Sequence, residues 1–202
     1  MHFSPGQTVY GWFRRFVRPL LFRTIHDVAL LIERERAGRE CRPTVGVIDS
    51  QTIKAPLADK RGFDAGKKVV GRKRHIAVDT DGRLLAVILT TADISDSAGA
   101  MPILDAIRKR WLWIKHFFAD GAYDRRKLLD KAASLDFVVE VVRRSETDPG
   151  FKVIPRRWVV ERSIGWLTRY RRLDVSEVMI FLAEETCWSD ESATSDILQQ
   201  MG

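Results

Sequence analysis

The chain predicts an α/β domain, a mixed sheet flanked by helices, on three observations. Apolar β-rich runs alternate with segments patterned at spacings of three and four. An Asp81-Gly82 pair sits between two such runs as a hairpin signal. Finally, 202 residues at 45% hydrophobic content suffice for one sizeable core.

Along the chain, Val9, Trp12, Phe13, Phe16, Leu20, Leu21, Ile25, Val28, Ala29 and Ile32 recur at helical spacing, which predicts two helices broken at Pro19. The loop AGRECRPT leads into a strand over 45–49. A long basic excursion follows, then short strands at 74–79 and 84–90 around Asp81-Gly82. ISDSAGAMPILDAIRKRWLW reads as a helix capped by Asp96 or Ser97. IKHFFAD reads as a strand, DRRKLLDKAASL as a helix and DFVVEVVRR as a strand. PRRWVVERSIGWLTRYRRL is expected as the closing helix, with Pro155 near its first turn.

Charge narrows the function. The net charge is +7, and all 34 Lys and Arg residues precede Leu173. Seven acids (Asp174, Glu177, Glu184, Glu185, Asp190, Glu191 and Asp196) follow it. A basic body of this kind favours a polyanionic partner through counterion release. Cys41 and Cys187 lie far apart without a nearby His-Cys spacing, which argues against a thiolate zinc site. The apolar stretches fall short of the roughly 18–20 residues of a membrane span, and MHFSPGQTVYGWFRRF lacks a signal-peptide core. The expectation is a reduced, cytoplasmic protein.

Three carboxylates stand in contexts suited to metal-dependent phosphodiester chemistry: Asp49 ending GVID, Asp120 ending FFAD, and Glu161 within RRWVVERSIGWL. Acids held by a sheet and a helix can together hold two divalent ions over a scissile phosphate. Each has a plainer reading: a turn or cap role for either Asp, and a solvated pair with Arg157 or Arg162 for Glu161. Lys54, Lys67, Lys68, Arg72, Lys73 and Arg74 form either a phosphate-guiding groove or a solvated face. His75 contacts phosphate, assists proton transfer, or is a hydrogen-bonded structural His. Asp79, Asp93 and Asp96 could line a site, although loop and cap roles suffice. Trp111, Trp113, Trp158 and Trp166 are expected in core or lid packing rather than stacked on bases.

The runs TVYGWF, GVIDSQTIKA, GRKRHIAVDTDGRLL, FADGAYD and RRWVVERSIGWLTRYRRL resemble the catalytic half of bacterial insertion-sequence transposases of the DDE class, in the IS-five (IS-four/IS-five) group. The match extends from about Thr8 to Leu173 with the motifs in the family's order. The resemblance implies an RNase H-like five-stranded mixed sheet flanked by helices and preceded by a short helical N-terminal segment. Residues 1–42 would be the remnant of a DNA-binding region, 43–173 the catalytic domain, and 174–202 an acidic, poorly ordered tail. The first Asp would end the first strand, the second would end the fourth, and the Glu would ride the last helix.

By the same resemblance Asp49, Asp120 and Glu161 would be catalytic and would hold two Mg²⁺ (or Mn²⁺) ions. Lys54, Arg72, Lys73, Arg74, His75, Arg157 and Arg169 would bind DNA. The implied partners are double-stranded DNA, at element ends and target, and further copies of the chain on that DNA, with no membrane involved. The chain departs from the family at Ile154, where a Tyr is expected, and at Thr168 with Arg169, where a single basic residue is expected. It resembles the downstream product of a two-frame element or a truncated copy. Besides an active transposase, a catalytically inactive DNA-binding or inhibitory fragment therefore stays open, as does a cellular RNase H-like nuclease.

Overall fold

The computed structural model describes Thr8, Gly11, Trp12 and residues 21–55, 60–143 and 157–169, with the side chains of Phe22 and Arg157 left aside. Two compact units divide at Arg42 and Pro43. In the first, helix α1 spans Leu21–Arg36. Gly38, at φ +68°, takes the left-handed conformation that closes the helix, and Arg39 N–H reaches back to the Arg34 carbonyl at 3.0 Å. The expected break at Pro19 lies outside the described residues, as does the tail beyond 173.

The second unit is built on a six-stranded sheet. Its strands are β1 (Val45–Lys54), β2 (Gly62–Asp64), β3 (Val69–Asp79), β4 (Leu84–Thr91), β5 (His116–Ala119) and β6 (Val138–Val141). β1 lies between β3, its antiparallel partner, and β5, its parallel partner; β6 runs parallel to β5, and both β4 and β2 pair antiparallel with β3. Set β2 aside and the spatial order is β4-β3-β1-β5-β6, an RNase H-like sheet of five strands. The three residues of β2 extend the β4 edge and have no counterpart in the sequence reading.

Two further departures matter. β1 does not stop at Asp49: it runs on to Lys54, with Asp49 opposite Ile76 and Lys54 opposite Gly71. β3 begins at Val69, five residues before the expected start at 74, so the end of the basic excursion is strand. Period-two alternation is hidden there because charged residues occupy the inward positions.

Helices cover both faces. Helix α2 (Asp96–Arg110) starts at Ser95, whose hydroxyl accepts the Ala98 N–H at 3.3 Å, so the N-cap lies one residue before the expected pair. It buries Ile103, Leu104 and Ile107, and Trp111 beyond its end donates Nε1–H to the Leu85 carbonyl. Helix α3 spans Arg126–Ser134. On the opposite face, helix α4 (Arg157–Arg169) lays Val159 and Val160 onto Val47, Ile76, Val78, Val87 and Phe118. α4 is also fastened to the β3–β4 turn: Ser163 Oγ donates to the Gly82 carbonyl and Arg162 to that of Asp81, each at 2.7 Å. The turn is held from within by Asp79, 0% exposed, whose Oδ1 accepts the N–H groups of Asp81 and Arg83. Among the described residues no helix is long and apolar enough to cross a membrane.

Candidate active site

Strand register brings the two aspartates together. Val47 of β1 is level with Phe118 of β5, so two residues further on Asp49 is level with Asp120. Neighbouring strands lie about 4.8 Å apart, and residues two apart share a face. The pair therefore emerges on the face that carries Val47 and Phe118, the one covered by α4. β5 ends at Ala119 while β1 continues along β3, which leaves Asp49 beside an opened edge. Asp49 Oδ1 accepts the Ser50 N–H at 2.7 Å. Asp120 Oδ1 accepts the Ala122 N–H at 2.9 Å and caps the short 3-10 turn Gly121–Tyr123.

Glu161 rides α4 over the same face, two residues before the anchoring Ser163, and is exposed. Among the described residues no group of three acidic, His or Cys side chains lies close enough to hold a metal together. Strand register thus sets Asp49 and Asp120 at the ends of neighbouring strands, while the two and Glu161 do not come together as a group of three. Two carboxylates still suit a hard divalent ion, since Mg²⁺ is ordinarily held by one or two of them with waters and substrate phosphates.

The basic residues sort by burial. Lys73, Arg74 and His75 are 6%, 1% and 0% exposed, so these three are turned into the protein and do not present themselves to a duplex. Lys54 and Arg169 are exposed, Arg72 is half-buried, and the Arg157 side chain lies outside the described residues. Arg125, Arg126 and Lys127, to which the sequence alone assigns no site role, follow Asp120 closely and are all exposed. With Ser95, Ser97 and Met101 they line a cavity of about 500 Å³. RRK directly after FADGAYD was the available signal. Trp111 is core, whereas Trp158 and Trp166 are 43% and 50% exposed and flank the Arg162 guanidinium at 4.5 and 4.8 Å.

Residues 40–178 match the family described as the transposase DDE domain. The chain belongs to that transposase family. It is also 32% identical over 140 residues to a Burkholderia cepacia protein described as "Putative transposase for insertion sequence element IS402", an alignment covering 64% of this chain. The chain spans 63% of that relative's length. Solved structures with some similarity include the simian T-cell lymphotropic virus intasome in complex with PP2A regulatory subunit B56 gamma (20% identity, 63% of this chain and 40% of that one, TM-score 0.42). Another is the HTLV-2 integrase catalytic core domain in complex with magnesium (16% identity, 73% of this chain and 86% of that one, TM-score 0.43).

Behind the aspartates of this DDE transposase domain runs a buried polar chain. Ser50 Oγ donates to Asp96 Oδ1 at 2.7 Å, and Lys73 Nζ lies 3.0 Å from the same oxygen and 3.5 Å from Asp64 Oδ2. Lys73 also donates to the Ile94 carbonyl, and Thr52 Oγ1 donates to Asp64 at 2.5 Å. The Thr52 hydrogen bond, opposed by burial and helped by the Lys67 N–H and Lys73, lowers Asp64 to about 2. Burial pushes Asp96 up, but hydrogen bonds from Ser50 and Lys73 outweigh it and leave the pKa below the ordinary value. His75 Nε2 shares a hydrogen with Thr90 Oγ1 at 2.9 Å. Burial lowers its pKa to about 4, with Asp96 opposing and Lys73 and Lys67 assisting. His75 is thus the structural histidine among the readings its sequence position allowed.

Proposed function

We propose that the chain is a DNA transposase of a bacterial insertion sequence, of the IS-five (IS-four/IS-five) group, that cuts element ends and joins the freed 3′-OH to target DNA. The single observation that carries this beyond family membership is the level placement of Asp49 and Asp120 at an opened edge of an RNase H-like sheet. These two would hold Mg²⁺ or Mn²⁺, with Glu161 as third ligand from the helix over the same face. When bound, a pair of such ions supplies an activated oxygen nucleophile and stabilisation of the leaving 3′ oxygen.

The protein's own contribution is positional. The sheet fixes the aspartates through backbone N–H groups of Ser50 and Ala122, so their spacing is set before DNA arrives. Exposed Lys54 and Arg169, half-buried Arg72, and Arg157 would hold phosphates and set register without reading bases. Arg125, Arg126 and Lys127 would guide the backbone leading to Asp120. Two ends and a target imply more than one copy on the DNA.

A second reading, a catalytically inactive DNA-binding or inhibitory fragment, is favoured by one observation: among the described residues Asp49, Asp120 and Glu161 do not come together as a group of three. Supercoiled plasmid incubated with the purified chain and Mn²⁺, Mg²⁺ or EDTA separates the two. Metal-dependent nicking that Asp120→Ala abolishes supports the transposase; salt-sensitive binding with no nicking in any metal supports the fragment.

A further inference from the structure

The β2–β3 hairpin leaves two apolar side chains in the open. Phe63 and Val70 stand directly opposite each other across the ladder and are 53% and 51% exposed. Residues so paired share one face of the sheet. Val70 lies six residues along β3 from Ile76, an even interval, and Ile76 is level with Asp49 on β1. The apolar pair therefore sits on the face that carries Asp49, about 20 Å from it along the strand.

Cations ring the pair. Lys60 and Arg61 lead into β2, Lys67 and Lys68 lie in the turn, and all four are exposed. From Lys60 to Val70 the single acid is Asp64. It is turned inward, 8% exposed, where it accepts the Thr52 hydroxyl and is neutralised by Lys73. Its other oxygen accepts the Lys67 N–H at 3.0 Å, so the same carboxylate ties the turn to β1 and β3. Asp93 packs against Gly62 and offsets one of the four cations at most. A fixed tip, apolar in the middle and cationic at the rim, complements duplex DNA, which is anionic at its backbones and offers sugar and base edges between them. A second copy of the chain would bring the same cations to the contact and be repelled.

We propose that the β2–β3 hairpin is a second contact for duplex DNA, in which Lys60, Arg61, Lys67 and Lys68 take phosphates while Phe63 and Val70 pack into the groove between them. At about 3.4 Å per base pair, the tip meets the duplex about six base pairs from a phosphate held over the aspartates. This rests on the reading of Asp49 and Asp120 as the cleavage centre.

The test compares Phe63→Ala, and Lys60, Arg61, Lys67 and Lys68 all replaced by Gln, with wild type in the full chain. Binding of a fluorescein-labelled mixed-sequence duplex is followed over a range of salt, beside plasmid nicking with Mn²⁺, thermal unfolding and sedimentation. Phe63→Ala should weaken binding about fivefold to tenfold with the salt slope unchanged, because an apolar contact releases no counterions. The fourfold variant should lower the slope of log K against log salt by about 3 to 4. Wild-type affinity in Phe63→Ala, or a wild-type slope in the fourfold variant, overturns the inference; nicking retained by wild type then leaves the cleavage centre standing. A lower melting temperature in Phe63→Ala assigns the ring to the fold, and an oligomer that falls apart in that variant assigns it to a second copy; either overturns the inference too. Wild type that binds duplex but nicks it in no metal overturns the cleavage-centre reading, and the inference with it.

Discussion

Gly99 and His75 occupy one space: a Cβ placed on Gly99 would lie 2.1 Å from the imidazole Cε1 and Nε2. Helix α2 approaches the sheet this closely because it has no side chain there, and the ring fills the gap. The imidazole is 0% exposed and tied to Thr90, so it has nowhere to retreat.

Gly99→Ala should therefore destabilise the domain despite alanine's better helix propensity. The propensity gain is about 1 kcal/mol. Overpacking a closed site costs typically 1–3 kcal/mol, with this rigid contact toward the upper end. Urea unfolding should show a net loss of about 1–2 kcal/mol; a gain would mean that the helix can lift off the ring freely.

The same histidine sets an acid limit. Its folded pKa of about 4 lies below the ordinary imidazole value of 6.5, so the unfolded chain takes up a proton first. Its contribution is whole above pH 6.5 and is lost as pH falls towards 4. At about 1.4 kcal/mol per unit the loss is on the order of 3 kcal/mol. Asp64, held near 2, and Asp96, lowered too, lose their share only at lower pH. Unfolding free energies at pH 7, 5.5 and 4.5 should fall in wild type and fall much less in His75→Gln; parallel curves would refute the assignment.

Lys73→Met should cost about 3–5 kcal/mol, the usual effect of stripping one partner from buried charges. It leaves Asp64 and Asp96 facing each other without their cation. Adding Asp64→Asn and Asp96→Asn should recover part of the loss. Chemical denaturation of the single and triple variants decides it, and a neutral single variant would show that water serves in place of the ammonium.

Replacing Arg125, Arg126 and Lys127 together by Gln should flatten the salt dependence of duplex binding. Each phosphate contact contributes about 0.9 to the slope of log K against log salt, so a drop of about 2 to 3 is expected. Arg74→Gln, at a 1% exposed position, should leave the slope unchanged. Fluorescence anisotropy over a range of salt checks both, and an unchanged slope in the triple variant would place the DNA elsewhere.

What could be read from the sequence was governed by how local each signal was. Asp49 and Asp120 stood out because an apolar run ends abruptly in an acid, and the hairpin at Asp81-Gly82 because its turn chemistry is contained in two residues. The end of an apolar run is not the end of a strand, however. β1 continues through Gln51, Thr52 and Lys54, whose backbone pairs with β3 regardless of their polarity. Lys73 and Arg74 looked solvated because the chain shows a charge without showing what surrounds it: Asp64 and Asp96, the neutralising partners of Lys73, arrive from β2 and from the first residue of α2. β2, three residues long, carries too short a pattern to register.

The fastening of α4 to the β3–β4 turn has a mechanical consequence for Glu161. With Ser163 pinned to Gly82, Glu161 lies only about 3 Å along the helix axis from a fixed point. Sliding along the axis would break the Ser163 bond, so any approach of Glu161 to Asp49 and Asp120 has to come from rotation of the helix about that pin or of the side chain itself. The hairpin tip is thus the fixed point from which the position of Glu161 is set, and Asp79, sealed beneath the turn, holds that point in place.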